Sequence, residues 1–317
     1  MNKRSHSRNA ELVRIDEKQI QRALNFQELV QSFLDAQDIK EISKRLYKKG
    51  LETFLSWLAA GRLSQPDRGE ILKFKEHLKA LSLSANSINA YMTAVKRFFS
   101  YLESMRLYPN IARDVRGVKA PRGHRRETLT GCQVRDVLNT IDRSMLRGKR
   151  DFAMFNLMAA TGLRTISIIQ ANLEDLKQTG KEAKLFYQSK GHDEKDLISL
   201  VTKKALKPLM QYLKDRKKVR PEDPLFVSHS DRINGQRLTT RTIRRIFKRL
   251  LHENNIDDPR ISAHSLRHFA ATNALLNKAD LLAVSKMLGH SSVVTTQIYL
   301  HEIERTGESA AERFIKY

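Results

Sequence analysis

Cysteine is nearly absent from this chain of 317 residues. The single cysteine, Cys132, excludes an intramolecular disulfide and a cysteine-only metal site, and we interpret it as a small hydrophobic residue near a helix start. No apolar run approaches the roughly 20 residues that are needed to cross a bilayer, and the N-terminal residues lack the apolar core of a secretory signal. These absences predict a cytoplasmic protein without a membrane partner.

Sequence signatures of cofactor and metal chemistry are missing as well. The chain contains no GxxxxGK[ST] phosphate loop, no CxxC pair and no cluster of carboxylates that is typical of a two-metal nuclease. The sequence therefore predicts no cofactor and no metal site. Two histidines near the motifs described below, His268 and His301, are predicted to be structural or to face a phosphate.

Acidic residues are too few to balance the basic ones. The chain has 58 Lys and Arg against 35 Asp and Glu, which gives a formal net charge of +23. Both halves of the sequence share this excess, so no single tail accounts for it. A basic field along a whole chain favours a polyanionic partner, and nucleic acid is the first candidate.

Helical periodicity dominates the sequence, and only one segment has the pattern of strands. Pro, Gly and five basic residues interrupt the periodicity at 114–129, which we interpret as a linker. The segments 184–190 and 196–200 alternate on either side of a Gly-containing turn, which predicts a hairpin. Ser43, Ser84 and Thr130 are predicted N-caps. Helices are predicted near 26–36, 43–60, 66–80, 84–106, 131–145, 148–161, 202–217, 239–254, 263–277 and 280–288.

Three short clusters in the second half contain residues suited to phosphate chemistry. They are Thr161-Gly162-Leu163-Arg164, Ala263-His264-Ser265-Leu266-Arg267-His268 and Leu288-Gly289-His290, the last followed by Thr295-Thr296-Gln297-Ile298-Tyr299. An arginine at a helix N-terminus becomes favourable when an anion is bound there. A histidine and an arginine three residues apart share one helix face. Each cluster alone also has a structural interpretation: an exposed helix end for Arg164, a helix cap for His264 and core packing for Tyr299.

Taken together, the clusters resemble the signature of the tyrosine recombinase family, the phage integrases and Xer-type recombinases. The family's order and spacing are matched by Arg164, His264, Arg267, His290 and Tyr299. Three segments resemble the corresponding family motifs almost residue for residue, namely ATGLR, HSLRHFAAT and LGHSSVVTTQIYLH. The resemblance covers the second half closely and the N-terminal helices more loosely. It implies a mainly α fold with a small β-sheet in the catalytic domain, and two domains that form a C-shaped clamp around DNA.

The resemblance also implies a division of the chain. We expect a flexible N-terminus at 1–20, a helical core-binding domain at 21–113, a basic linker at 114–129 and a catalytic domain at 130–306. The tail at 307–317 has apolar residues at helical spacing, and it is expected to dock on a neighbouring protomer. The expected partners are double-stranded DNA and other protomers, with four protomers on two duplexes.

Catalytic roles follow from the resemblance residue by residue. Tyr299 is the expected nucleophile, which forms a 3′-phosphotyrosine and leaves a 5′-hydroxyl without ATP or metal. The two arginines and His290 would bind the phosphate, and His264 would act as the base. Lys190 matches the family's catalytic lysine in the hairpin, and Lys195 across the turn is the alternative.

One position departs from the family pattern. Members usually carry an acidic residue three positions after the first arginine, where this chain has Ser167. This change puts the preorganisation of the site in doubt. Two other functions remain open from the sequence, namely a type IB topoisomerase and a DNA-binding protein that has lost catalysis.

Overall fold

The chain forms two compact units, residues 1–122 and 123–317, in a computed structural model. The structure describes residues 26–61, 65–119, 128–180, 182–188, 194–216 and 219–306. The predicted flexible N-terminus, most of the basic part of the linker, Lys190 and the C-terminal tail lie outside these residues. No helix in the described ranges is long and apolar enough to span a bilayer.

The first unit is a helical bundle around an aromatic core. Its described helices are α1 (Phe26–Asp35), α2 (Glu41–Ala60), α3 (Arg68–Ala80) and α4 (Ala85–Ser104). Phe54 packs edge-on against Phe74 and Phe99, with ring centroids 4.9 and 5.9 Å apart. Such pairs stabilise the fold beyond the burial of their surface, so these rings fix the packing of α2, α3 and α4.

The helix ends of the first unit test the capping predictions. Ser84 caps α4 as predicted, since its hydroxyl accepts a hydrogen bond from Ser87 N at 3.1 Å. The prediction for Ser43 was wrong, because α2 begins at Glu41 and places Ser43 inside the first turn. Helix α2 ends at Ala60 as predicted, and Asp67 caps α3, which begins at Arg68 rather than at 66.

Part of the predicted linker is anchored to the first unit. Val115 is buried, and the side chain of Asn89 makes two hydrogen bonds with the backbone of Val118, at 2.9 and 2.7 Å. A side-chain amide that satisfies both a carbonyl and an N–H fixes the chain at that point. Residues 114–119 therefore follow the surface of α4.

The second unit combines helices with a small antiparallel sheet. Its described helices are α5 (Gly131–Asn139), α6 (Leu146–Thr161), α7 (Thr165–Gln170), α8 (Lys203–Arg216), α9 (Thr240–Glu253), α10 (Ser265–Leu276), α11 (Leu281–Leu288) and α12 (Gln297–Thr306). The strands β1 (Leu176–Thr179), β2 (Glu182–Tyr187) and β3 (Leu197–Val201) pair in the order β1-β2-β3. This arrangement confirms the mainly α fold with a small sheet and the predicted hairpin.

Several elements of the second unit differ from their predictions. Strand β1 was missed because three of its four residues are exposed and show no alternation. Thr130 caps helix α5 as predicted, in a capping box with Gln133, but the helix ends at Asn139 rather than at 145. The chain turns where Asp142 accepts a hydrogen bond from Ser144 N at 2.8 Å. Cys132 lies in the first turn of α5, as predicted, but is exposed rather than packed.

The central helix of the second unit is α6. It packs against α5, α8 and α10, and nine of its residues are buried. Burial on several sides removes the one-faced apolar pattern of a surface helix. Helix α6 therefore provides a fixed support for the residues that follow its C-terminus.

Candidate active site

Helix α6 ends in a glycine that allows three helices to meet. Gly162 adopts the left-handed conformation, with φ 67°, and a Cβ there would lie 2.7 Å from Leu288 Cδ2 and 3.3 Å from Ala270 Cβ. A larger residue would be strained by its backbone and would collide with α10 and α11. The turn places Arg164 at the N-cap position of α7, as the sequence predicts.

Arg267 lies in the interior of this junction, only 3 % exposed. Its guanidinium donates hydrogen bonds to Gly162 O and Leu288 O, both at 2.8 Å. These carbonyls belong to the C-terminal ends of α6 and α11, where a cation is favoured. Two of the five N–H donors of the guanidinium thus fix its position, and the fork retains donors for an anion.

Arg164 adds a second positive charge to the same pocket. The pKa of Arg267 is lowered to about 10, chiefly by burial and then by repulsion from Arg164, so that Arg267 stays protonated at neutral pH. Two like charges in a poorly solvated pocket favour the binding of an anion. The structure therefore brings together the two arginines that the motif predicts.

His290 follows the second left-handed glycine and lies beside the arginine pair. Gly289 follows α11, which ends at Leu288 as predicted, and has φ 62°; His290 Nδ1 lies 2.8 Å from Thr296 Oγ1. Burial, followed by the charges of Arg267 and Arg164, lowers the pKa of His290 to about 4. His290 is therefore a neutral imidazole at neutral pH.

Tyr299, on α12, completes the cluster around Arg267. Its phenol lies close enough to Arg267 to raise the pKa of that guanidinium, and the residue is only 2 % exposed. The phenol ring is parallel to the His290 ring, with centroids 6.5 Å apart and an interplanar angle of 5°. Tyr299 also packs in a small apolar cluster with Val284 and Leu288. The residue therefore has both positions that the sequence left open, one in the core and one beside the arginines.

His264 reaches this cluster through a second histidine. It occupies the N-cap position of α10 without a capping hydrogen bond from its side chain. Its ring lies edge-on to that of His268 at 5.1 Å, and the His268 ring lies 5.3 Å from that of Tyr299. His268 is 1 % exposed. The sequence predicts His268 to be structural or to face a phosphate, and its position next to Arg267 is the signal for a place in the site.

Tyr187 is a site residue that the sequence reasoning missed. It is the last residue of β2 and is 2 % exposed. Burial raises its pKa, whereas the charges of Arg267 and Arg164 oppose that shift. A Cβ on Gly289 would lie 2.5 Å from the Tyr187 hydroxyl oxygen. In the sequence, Tyr187 is one of several apolar residues in an alternating strand, and nothing marks it as a neighbour of the arginines.

The hairpin is attached to the rest of the site on both sides. Ser167, where the family has an acid, is buried, and its hydroxyl donates to Gln188 O at 3.3 Å. Lys195 forms an ion pair with Asp175, with 2.5 Å between Nζ and Oδ2. Lys190 lies outside the described residues. Within the described ranges, no three or more His, Cys, Asp or Glu side chains are grouped as metal ligands.

A basic helix face lies elsewhere on the second unit. Helix α9 buries Ile243, Ile246, Phe247 and Leu250 on one side. We call its exposed cations the α9 basic face, which consists of Arg241, Arg244, Arg245 and Lys248. A helix with such a face fits the major groove of a duplex in its diameter and its charge.

Comparison with known proteins places these features in context. The model of the phage integrase family matches residues 127–305, and that of the phage integrase N-terminal SAM-like domain matches residues 27–105. Tyrosine recombinase XerD of Listeria innocua is 33 % identical over 288 residues, which cover 86 % of this chain and 90 % of the relative. Tyrosine recombinase XerC of Actinobacillus pleuropneumoniae is 32 % identical over 224 residues, 69 % of each chain.

Solved structures share the fold at lower identity. XerH site-specific recombinase bound to a palindromic difH substrate, in a post-cleavage complex, has a TM-score of 0.71 at 20 % identity and covers 92 % of this chain and 88 % of its own. A lambda integrase dimer bound to a COC′ core site has a TM-score of 0.63 at 16 % identity, covering 88 % and 96 %.

Proposed function

The chain belongs to the phage integrase family, the tyrosine recombinases, and from this premise we propose that it is a site-specific DNA recombinase. It cleaves and rejoins DNA strands through a 3′-phosphotyrosyl bond to Tyr299. The observation that carries the proposal is the buried junction in which Arg267 lies close to both the charge of Arg164 and the phenol of Tyr299. An electropositive pocket next to a nucleophile suits the attack on a phosphodiester.

The two arginines have the role of stabilising the transition state. Attack on a phosphodiester adds negative charge to the non-bridging oxygens, and fixed cations aimed at those oxygens lower the barrier. Arg267 is preorganised by its bonds to two helix ends. Arginine forks match pairs of phosphate oxygens, so Arg164 and Arg267 together can hold both oxygens.

His290 is a neutral hydrogen-bond donor in this proposal. With a pKa of about 4, it carries one proton at neutral pH. When its Nδ1 accepts a hydrogen bond from the Thr296 hydroxyl, the proton is on Nε2 and can be donated to a phosphate oxygen. A Thr296 hydroxyl that donates in this way stabilises the tautomer that the proposal needs.

Proton transfers at the nucleophile and the leaving group are assigned to His264 and Lys190. The phenol, with a reference pKa near 10, must lose its proton as the bond to phosphorus forms. His264 is the proposed base, and His268 lies between its ring and that of Tyr299. Lys190 is the proposed acid at the departing 5′-oxygen. Lys195, the alternative acid, is engaged in an ion pair with Asp175, which supports the choice of Lys190.

The buried phenol has to become accessible when DNA binds. Tyr299 is 2 % exposed and lies beside Arg267, the group that would hold the phosphate. A phosphodiester monoanion competes well for a guanidinium because charge-assisted hydrogen bonds are stronger than neutral ones. We propose that the scissile phosphate takes over this contact and that the phenol then turns in line with it.

The DNA partner follows from charge as well as from family. A net charge of +23 favours binding to a polyanion, and the XerH and lambda integrase structures are bound to DNA sites. We propose that the α9 basic face contacts the duplex. The units at 21–113 and 130–306, joined by the basic linker at 114–129, would close around it as a C-shaped clamp.

Recombination requires cleavage of paired strands, so we propose that four protomers assemble on two duplexes. The tail at 307–317 is the proposed docking segment between neighbours. Its deletion should impair synapsis of two sites more than binding of one site, as measured by native gel electrophoresis. Unchanged recombination after the deletion would contradict this role.

Covalent trapping tests the proposed function directly. Nicked duplexes with a randomised core are incubated with the protein, so that the short cleaved fragment diffuses away and the adduct accumulates. SDS-resistant adducts are sequenced, and the modified peptide is identified by mass spectrometry. We expect a defined set of sites and a nucleotide on Tyr299.

The two alternative functions give different results. A binding protein without catalysis would shift the duplexes and yield no adduct. A topoisomerase would relax supercoiled plasmid that lacks any selected site. Either outcome would overturn the proposed recombinase.

A further inference from the structure

The last residue of β2 is a tyrosine at a position where packing alone would be satisfied by phenylalanine. Ala183, Leu185 and Tyr187 form the buried side of this strand. Among the described residues, the Tyr187 hydroxyl makes no hydrogen bond. Its oxygen is also not one of the fully buried polar atoms that lack a partner, so it retains some accessible surface. The ring is therefore fixed in the core, and the hydroxyl is available as a donor.

The hydroxyl contacts the end of α11, where two other site residues meet. A Cβ on Gly289 would lie 2.5 Å from the Tyr187 hydroxyl oxygen, so this oxygen lies against the Gly289 backbone. The preceding residue, Leu288, accepts a hydrogen bond from Arg267 Nη2 at 2.8 Å, and the following residue is His290. A phenol, a guanidinium and an imidazole are thus held around one turn of the chain.

The charges around the phenol favour the binding of an anion at this place. Burial raises the pKa of Tyr187, and the nearby charges of Arg267 and Arg164 only oppose that rise. The phenol therefore keeps its proton at neutral pH. A guanidinium has no acceptor atom, so neither arginine can accept a hydrogen bond from this hydroxyl. An anion held by the two arginines can accept one.

Helix α7 fixes the chain beside Tyr187. The hydroxyl of Ser167 donates to the carbonyl of the next residue, Gln188, at 3.3 Å. Ser167 lies on the helix that begins after Arg164, at the position where the family has an acid. Tyr187 is also paired with Leu197 of β3 in the sheet. The strand end that carries the phenol is therefore attached both to the helix of the first arginine and to its neighbouring strand.

We propose that Tyr187 is a further catalytic residue, whose hydroxyl donates a hydrogen bond to a non-bridging oxygen of the scissile phosphate. This role goes beyond those assigned above and rests on the proposed function. As the Tyr299 oxygen bonds to phosphorus and the bond to the 5′-oxygen breaks, negative charge on the non-bridging oxygens grows. A donor fixed towards one of them then becomes more stabilising. Tyr187 keeps its proton throughout, so the proton transfers proposed above are unchanged.

The test combines one variant with three substrates. Tyr187→Phe removes the hydroxyl and keeps the ring. The substrates are nicked duplexes of one sequence, in which the scissile phosphate is unmodified or has sulfur in place of one or the other non-bridging oxygen. Sulfur keeps the charge of the group but is a weak hydrogen-bond acceptor. Single-turnover formation of the covalent adduct gives the rate of each protein on each substrate.

The expected loss depends on which oxygen is present. On the unmodified phosphate, Tyr187→Phe should lower the rate by about 10- to 100-fold, as for the removal of one hydrogen bond to a charged group. A similar loss should appear on one sulfur diastereomer. On the other, sulfur replaces the acceptor itself, so the two proteins should agree within about threefold, because both changes affect one contact. The affinity for intact duplex should change by less than about threefold, since many phosphate contacts share it.

Tyr212→Phe is the matched control for the loss of a buried phenol hydroxyl. Tyr212 is buried on α8, and its hydroxyl lies 3.1 Å from His229 Nε2. This variant should lower the urea midpoint of unfolding, because it breaks a hydrogen bond, and it should cleave all three substrates normally. Tyr187→Phe should not lower the midpoint, because its hydroxyl has no partner within the described ranges. The pair separates an effect on catalysis from one on stability.

Other results would overturn the inference. Normal cleavage of the unmodified phosphate by Tyr187→Phe would mean that the hydroxyl does not contact it. An equal loss on all three substrates would mean that the hydroxyl acts away from the non-bridging oxygens. A nucleotide attached to Tyr187 in the unmodified protein would make this residue a nucleophile and not a donor. Failure of the unmodified protein to form any adduct would instead contradict the proposed function.

Discussion

The phenol of Tyr299 lies close enough to the guanidinium of Arg267 to raise the pKa of that group, and both side chains are buried, 2 % and 3 % exposed. In the proposed reaction, the same guanidinium binds the phosphate that the phenol attacks. In the free protein, the phenol therefore lies beside the guanidinium that is proposed to bind the scissile phosphate. Binding of DNA and release of the tyrosine are then coupled, because both compete for one set of donors.

The first prediction concerns the nucleophile itself. Tyr299→Phe should abolish covalent capture of nicked DNA, because the attacking oxygen is gone, and it should leave the affinity for intact duplex within about threefold. The ring keeps its packing, so the stability should fall by no more than about 1 kcal/mol, the value of one hydrogen bond. Gel shift and SDS-resistant adduct assays give both values, and an adduct formed by the variant would contradict the assignment.

The second prediction separates the two arginines by their structural roles. Arg267→Ala removes two hydrogen bonds to buried helix-end carbonyls, so it should lower the free energy of unfolding by about 2–4 kcal/mol and abolish cleavage. Arg164→Ala should also abolish cleavage, but it should change the stability by less than about 1 kcal/mol, because Arg164 is only half-buried. Urea unfolding of both variants measures the contrast. Equal stability losses would show that Arg267 has no special structural role.

The sequence predicted the residues of the site better than the contacts between them. Spacing and motif placed Arg164, Arg267, His290 and Tyr299 together, and Gly162 and Gly289, which follow predicted helices, prove to be left-handed. These features depend on local chain chemistry, which a sequence displays directly. The main α-helices and the hairpin were predictable for the same reason.

The missed features depend on contacts distant in the sequence. Tyr187 is adjacent to Gly289 only because β2 packs beside the end of α11. The ion pair of Lys195 joins residues 20 positions apart. Helix α7 has six residues, too few for a periodic pattern. Tertiary packing decided each of these, so propensity and periodicity could not have found them.

The third prediction uses the contact between Gly289 and Tyr187. Gly289→Ala would place a Cβ 2.5 Å from the tyrosine oxygen and 2.8 Å from Leu197 Cδ1, in addition to the strain of φ 62°. We expect a loss of about 2–4 kcal/mol in stability and a loss of cleavage, because His290 is the next residue.

Gly180 is the matched control for this substitution. It has φ 59° and nothing within 4 Å of an added Cβ. Gly180→Ala should therefore cost only the backbone strain, about 1 kcal/mol, and cleave DNA normally. Urea unfolding of the two variants gives both losses, and equal values would show that the crowding beside Gly289 is relieved without cost.

The fourth prediction concerns pH. The folded-state pKa of His290, about 4, lies below the unfolded value of about 6.5. The unfolded chain therefore binds this proton more readily, and the protein should lose stability as the pH falls from about 6.5 towards 4. His229, whose pKa burial and Arg150 lower to about 4, contributes to the same loss. His290→Gln should thus remove part of the slope and not all of it.

The titration of His290 can also be observed directly. NMR of its imidazole should show the neutral form down to about pH 5 in the free protein. Addition of inorganic phosphate should raise the pKa, because an anion between Arg164 and Arg267 offsets their repulsion. A midpoint near 6.5 in the free protein would contradict the proposed neutral donor.

The last prediction tests the α9 basic face through the salt dependence of DNA binding. Each phosphate contact releases condensed counterions, so the plot of log K against log salt has a negative slope. The magnitude of that slope decreases by about 0.9 for each contact that is lost. Arg244 and Lys248 are exposed and lie four residues apart on one face. The double variant Arg244→Gln/Lys248→Gln should reduce the magnitude of the slope by about 2 without changing stability, since neither residue supports the core.

A double variant with the same loss of charge controls for net charge alone. Lys73 and Lys79 on α3 are paired with Glu70 and Glu76, at 2.9 and 2.8 Å. The variant Lys73→Gln/Lys79→Gln should alter the slope by less than 1, because these charges are already partly neutralised. If both double variants changed the slope equally, the chain would attract DNA through its overall field, and the α9 basic face would not be a specific contact surface.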